Sequence, residues 1–180
     1  MATDALGREH QVATVQLDFV QPQRFELGYT TEDGSKIAPV MIHSALLGSI
    51  ERFLSVYIEH TAGRFPIWLA PEQLRIIQVK DSPELDSFVD EIATEAKNRG
   101  VRVEVDRSNE SVGKKIRNSE LMKVPYAVVV GEKEFETREL TPRVRSDLAV
   151  ENREEKAYPF ENFITSIANE AKGRVQKSSL

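Results

Sequence analysis

Gly48-Ser49-Ile50-Glu51-Arg52-Phe53 sets a serine and an arginine three residues apart, which places both on one face of a helix, next to a glycine that lets a backbone or a ligand come close. An arginine on an otherwise apolar helix needs a partner, and a carboxylate or a phosphate is the usual one. His43 closes the apolar run Val40-Met41-Ile42-His43. A lone histidine in that setting is more often a hydrogen-bonded core residue than a metal ligand, and three histidines without a cysteine make a poor zinc site. Thr14, Gln16 and Asp18 alternate with Val15, Leu17 and Phe19. Their polar face lines a ligand pocket or, as such faces more commonly do, meets water. His43 and Arg52 are nine residues apart, which on a single helix puts them on opposite sides. They share a site only if His43 ends a strand and Arg52 lies in the helix after it.

The spacing of apolar residues predicts the elements that position these groups. Residues 12–19 alternate with period two, as a strand with one buried and one polar face does. Glu32-Asp33-Gly34-Ser35 signals a turn, so 25–30 and 36–42 are expected to pair as a hairpin. Leu46, Leu47, Ile50, Phe53, Leu54, Tyr57 and Ile58 recur at helical spacing and predict a helix over 44–60, stopped by Gly63 and Pro66. Residues 61–71 are then the junction between two domains. Beyond it, residues 74–79 read as a strand, and Asp81-Ser82-Pro83 offers a cap and a first-turn proline for a helix. Leu85, Phe88, Val89, Ile92 and Ala96 share one face of that helix, and Gly100 ends it. Val101, Val103 and Val105 alternate as a second strand, residues 112–122 form a second helix, and 126–130 is an uninterrupted apolar strand suited to a sheet interior. Strand–helix–strand–helix–strand implies an α/β domain with a largely parallel sheet covered by helices. Residues 132–144 are expected as a hairpin or loop at the sheet edge, 146–157 as a charged mobile connection, and 159–175 as a last helix.

The 180 residues carry 40% hydrophobic and 29% charged side chains, ordinary for a soluble globular protein. No apolar run approaches the ~20 residues a membrane span needs. The opening Met1-Ala2-Thr3-Asp4 has no basic and apolar export signal, and there is no cysteine for disulfides or thiolate metal sites. The cytoplasm is the expected compartment. A net charge of −5 argues against a general nucleic-acid coat. Within 97–123, however, eight Lys/Arg face four acids, a local +4 that leaves −9 for the rest. Such a window suits a local RNA-binding face or, equally, a solvated helix.

Several strings resemble one family. Gly7-Arg8-Glu9-His10-Gln11-Val12-Ala13-Thr14-Val15-Gln16-Leu17-Asp18-Phe19 is similar to the strand of threonyl-tRNA synthetases that reads G-R-E-x-Q-x-x-T-x-Q-L-D-F. Pro39-Val40-Met41-Ile42-His43 with 48–53 resembles that family's motif 3 region, and Ala62-Gly63-Arg64-Phe65-Pro66-Ile67-Trp68-Leu69-Ala70-Pro71 its junction into the anticodon domain. In the second half, 100–106, Asn109-Glu110, 113–117 and 124–134 resemble the anticodon-binding domain that several class II synthetases share.

The resemblance implies residues 1–66 as a partial class II catalytic domain, antiparallel strands plus the motif 3 helix, and 67–180 as an anticodon-binding domain with a C-terminal helix. It implies Arg52 on the ATP phosphates, Thr14, Gln16 and Ser49 lining the adenylate and threonine pocket, and His43 as one ligand of a zinc. A zinc that takes an amine and a hydroxyl separates threonine from valine. It further implies Asn109, Glu134 and Arg143 on anticodon bases, chemistry that suits an amide, a carboxylate and a guanidinium, converging near one edge of the sheet. Lys114, Lys115 and Arg117 would hold backbone phosphates. Motif 1, motif 2 and the other zinc ligands of the family have no counterpart in this sequence. The chain alone is therefore expected to bind no zinc or ATP–magnesium and to be inactive, with threonine tRNA and an upstream catalytic region or a dimer partner as its partners. The alternative is a stand-alone RNA-binding or regulatory protein that reuses the anticodon domain.

Overall fold

The computed structural model describes residues 1–150 and 155–180, in two compact units, Met1–Gly63 and Arg64–Leu180. None of its described helices is long and apolar enough to cross a membrane.

The first unit runs β1 (Ala2–Thr3), β2 (Glu9–His10), β3 (Ala13–Asp18), α1 (Gln21–Arg24), β4 (Tyr29–Thr30), β5 (Lys36–Ile37), β6 (Met41–Leu46) and α2 (Ile50–Thr61). The expected hairpin forms, reduced to Tyr29↔Ile37 and Thr30↔Lys36. The longer pairing is β3 with β6, antiparallel, which sets Gln16 opposite His43. The helix expected over 44–60 is corrected accordingly, because Ser44, Ala45 and Leu46 belong to β6 and bond to β3 instead. Leu47 and Gly48 then turn the chain at φ 66° and 58°, and α2 starts only at Ile50 behind its Ser49 cap. A Cβ on Gly48 would lie 3.1 Å from the Gln11 carbonyl, so the close approach this glycine permits is that of a neighbouring backbone. Ala62 in the left-handed region and the Gly63 N–H bond to Ile58 O end α2.

The second unit runs β7 (Leu74–Gln78), α3 (Pro83–Asn98), β8 (Val103–Asp106), α4 (Val112–Leu121), β9 (Tyr126–Val130), α5 (Glu132–Thr137), β10 (Glu139–Leu140), β11 (Arg143–Val144), β12 (Tyr158–Pro159) and α6 (Phe160–Gly173). The main sheet has the order β11-β9-β7-β8, with β7 parallel to both β8 and β9 and β11 antiparallel at the edge. It is the mostly parallel mixed α/β sheet expected. Successive crossovers step from β7 to β8 and then back past β7 to β9, so right-handed connections put α3 and α4 on opposite faces. α3 and α6 cover one face with Phe88, Val89, Ile92, Phe163, Ile164 and Ile167, all packed on Leu74, Ile76, Tyr126 and Val128. Ser82 Oγ accepts from Leu85 N–H at 3.3 Å, the cap that the sequence announces for α3.

Two expectations change here. Residues 132–144 are not a hairpin or loop: they form α5 and the short strands β10 and β11. The helix nucleates because Glu134 reaches back to the Gly131 N–H at 3.0 Å, and Phe135 packs edge-on against Phe88. The 146–157 connection begins as an anchored turn rather than a mobile one. Leu148 is buried, its N–H and that of Ala149 bond to Arg145 O, and its carbonyl accepts from Ser178 N–H. Residues 151–154 of that connection lie outside the described residues. A further segment unremarked in the sequence, 174–180, folds back so that Ser178 and Leu180 are buried, with Ser178 Oγ 2.6 Å from the Tyr126 hydroxyl.

Candidate nucleic-acid interface

Three side chains on the second unit are presented by different elements. Asn109 sits exposed in the 107–111 loop between β8 and α4. The loop starts with Asp106 Oδ1 accepting from Ser108 N–H at 3.0 Å and its hydroxyl at 2.6 Å, and ends with Ser111 Oγ capping α4. Burial pushes the Asp106 carboxyl up, but the Ser108 bonds and the charges of Lys115 and Arg75 outweigh it and hold it below the usual carboxylate range. Glu134 is in the first turn of α5, one carboxylate oxygen engaged with Gly131. Arg143 is exposed on β11, opposite Ala127, and its guanidinium makes no hydrogen bond or ion pair with the described residues.

Arg143 also lines a cleft of about 330 Å³ with Arg64, Lys123, Arg145, Ser119 and Glu120. Arg145 serves the fold, bonding Asp147, Lys123 O and Phe65 O. Arg64 and Lys123 add further cations to the cleft; the basic stretch of sequence contained Lys123, but nothing in its spacing set it apart. The expected convergence near one edge is corrected. Arg143 stands on the β11 edge, whereas Asn109 follows β8 at the opposite edge, because α4 carries the chain past β7 to β9 and β11 then pairs on the far side of β9.

The three cations of α4 part company. Lys114 is exposed and paired with Glu110 at 2.7 Å, and Arg117 is exposed. Lys115 is only 3% exposed, its Nζ donating to Gln78 O at 2.9 Å and Asp106 O at 3.3 Å. The phosphate contact expected at Lys115 is thus corrected: its side chain points into the fold along the face it shares with buried Ser119, four residues on.

In the first unit, antiparallel pairing puts Thr14, Gln16, Asp18 and His43 on one face. His43 Nε2 is 3.0 Å from Asp18 Oδ2. The Asp18 carboxyl is held below its ordinary range by the N–H groups of Gln21 and Val20, with His43 adding to them. Among the described residues no three His, Cys, Asp or Glu side chains come together to hold a metal, so these residues by themselves do not fit a zinc. His43 lies inside β6 and Arg52 in the first turn of α2, the strand-then-helix arrangement a shared site requires. Ser49 Oγ accepts from Arg52 N–H at 3.4 Å and donates to Glu51 at 2.6 Å. The Arg52 guanidinium is exposed and has no partner among the described residues.

Comparison with known proteins adds the family. The family described as "Anticodon binding domain" matches residues 73–170, more than half of the chain, and "tRNA synthetase class II core domain (G, H, P, S and T)" matches 1–61. The threonine–tRNA ligase of Anaeromyxobacter dehalogenans (strain 2CP-C) is 44% identical over 95% of this chain. The chain belongs to the anticodon-binding-domain family and resembles the threonyl-tRNA synthetases over nearly its whole length. The ligase of Bdellovibrio bacteriovorus is 43% identical over the full chain. The chain spans about a quarter of the length of the curated relatives it matches, 25% and 26% for these two. Among solved structures, the RNA-binding domain of threonyl-tRNA synthetase from Cryptosporidium parvum Iowa II superimposes with a TM-score of 0.78 at 34% identity, covering 98% of this chain and 42% of that one. A prolyl-tRNA synthetase from C. parvum, bound to L-proline and AMP, reaches a TM-score of 0.65 at 26% identity over 91% of this chain and 36% of that one.

Proposed function

We propose that the chain is the anticodon-reading part of a cytoplasmic threonine–tRNA ligase, the enzyme that attaches threonine to its tRNA using ATP. The observation that carries this reading is the anticodon-binding match over residues 73–170, within which the Arg143 side chain stands exposed at a sheet edge without a partner among the described residues. A free guanidinium there can donate two parallel bonds to a guanine edge. Asn109 offers an amide to a second base, and the free oxygen of Glu134 accepts an amino proton. Lys114 and Arg117 hold phosphates without reading sequence; the exposed Lys114–Glu110 pair is weak enough to exchange for one.

The first unit, residues 1–66 by sequence, is then the end of a catalytic domain. Arg52 grips the phosphates of ATP–magnesium, Thr14, Gln16 and Ser49 line the adenylate pocket, and His43 is one zinc ligand, once an upstream region or a dimer partner supplies the rest. Alone, the chain forms no threonyl-adenylate; threonine-dependent pyrophosphate exchange above a blank would overturn that.

Base reading is tested by titrating threonine-tRNA anticodon stem-loops, native and anticodon-swapped, at two salt concentrations. Arg143→Ala should cost about 1–3 kcal/mol on the native loop and little on the swapped one. Lys114→Ala should weaken both equally and lower the salt slope by about one. A wild-type chain that cannot distinguish the loops points instead to a generic RNA-binding protein.

A further inference from the structure

We propose that Lys115 is a positioning residue for base recognition: its buried ammonium fastens the carboxyl ends of β7 and β8 and thereby fixes the 107–111 loop that presents Asn109. The inference rests on the anticodon reading above for its functional half, and on geometry alone for its structural half.

The chain leaves β7 toward α3 on one face of the sheet and leaves β8 toward α4 on the other, and Lys115 of α4 reaches the ends of both strands. Lys115 Nζ bonds to the last carbonyl of each strand, Gln78 O at 2.9 Å and Asp106 O at 3.3 Å. Taking an ammonium out of water is unfavourable unless it is well bonded. The neighbours Lys114 and Arg117 stay exposed, so of these three cations Lys115 is the one committed to the fold.

The same two strand ends anchor the loop from outside. Gln78 donates to Asp86 at 2.6 Å and to Lys80 O at 3.0 Å, and its side-chain oxygen accepts from Arg107 Nε at 3.0 Å. Arg107 also bonds Asp90 on α3 at 2.8 Å, and Asp106 holds Ser108. Lys115 is the centre of this arrangement, since among the described side chains it alone bonds the last carbonyls of both strands. Asn109 at the tip has no hydrogen bond to the described residues and is left facing solvent. A recognition side chain without a partner of its own gains selectivity only if its backbone is held still, and Lys115 supplies that hold without touching RNA.

Lys115→Met in the 180-residue chain tests this by hydrogen exchange and by binding of the native and swapped stem-loops. The expected result is exchange at the Ser108 amide, bonded to Asp106, at least tenfold faster, with α3 and β9 unchanged. Preference for the native loop should fall at least fivefold at an unaltered salt slope. Unchanged exchange overturns the proposal, and so does an equal weakening of both loops with a lower salt slope, which marks a plain phosphate contact. If circular dichroism finds Lys115→Met unfolded, the double variant Arg107→Ala, Ser108→Ala decides. It keeps the ammonium and cuts the outer ties, and must speed exchange of the position-108 amide and lower the preference in the same sense; no change overturns the proposal. If wild type prefers neither loop, the anticodon reading has failed, and the exchange measurement alone decides whether Lys115 fixes the loop.

Discussion

In Arg64–Leu180 the strand residues Leu74, Ile76, Tyr126 and Val128 are wholly buried beneath helices α3 and α6. In Met1–Gly63 the described residues include only Asp4 and Pro22 as buried, while Val15, Leu17, Phe19 and Ile42 are 60–73% exposed. Both units have alternating strands and helices with an apolar stripe. Periodicity decides which face of an element is apolar, but burying that face takes a second layer, and in the first unit β3 and β6 pair only with each other. An apolar surface of that extent marks a partner-covered face. Under the proposed function its cover is the remainder of the class II core.

The contrast is exposed most directly by hydrogen exchange. Core amides of β7 and β9 should exchange roughly 1,000-fold or more slowly than those of β3 and β6; equal protection in a monomer would end the comparison. Point substitutions sharpen it. Phe163→Ala should lower the stability of the second unit by about 3–5 kcal/mol in urea unfolding, whereas Leu17→Ala should stay within about 0.5 kcal/mol. A large loss at Leu17 would mean that its face is covered after all. Next, the isolated chain is expected to self-associate through this uncovered face, and Val15→Thr with Leu17→Thr should weaken that association about tenfold or more, since each buried aliphatic side chain contributes about 1.5–3 kcal/mol. Sedimentation over a concentration series reads this, and an unchanged series would assign the association elsewhere.

The smallest effect concerns the β4–β5 turn, where bonds from Thr31 and then Ser35 bring the Asp33 carboxyl from its ordinary 3.8 down to about 2. A lowered carboxylate stabilises the fold in full above its unfolded value, so the turn's contribution should hold above pH 4 and fade as pH drops through about 2. An NMR titration of Asp33 with a midpoint near 4 would remove that contribution.

Much of the architecture is local chemistry and could be read in advance. Ser82 and Pro83 open α3 and Gly100 follows it at φ 79°, because caps depend on residues adjacent in sequence. Thr14, Gln16 and His43 were harder. That they share a face follows from the pairing of β3 with β6, between residues about 30 positions apart, and the same pairing removed Ser44–Leu46 from the predicted helix. Apolar residues at Leu46 and Leu47 fit a helix stripe and a strand end alike, so spacing alone did not separate them.

The basic helix divides most clearly between the two kinds of information. That Lys114, Lys115 and Arg117 lie on one helix beginning after Ser111 follows from sequence, through a serine cap and a run of helix-compatible residues. Which of them meets solvent was decided by tertiary structure. Each step along a helix turns the side chain by about 100°, and α4 lies across β7 and β9 in the one rotation that buries Lys115 with Ser119 and leaves Lys114 and Arg117 outside. Three similar charges thereby acquire two different tasks, because the carbonyls that satisfy a buried ammonium belong to strands far from it in the chain.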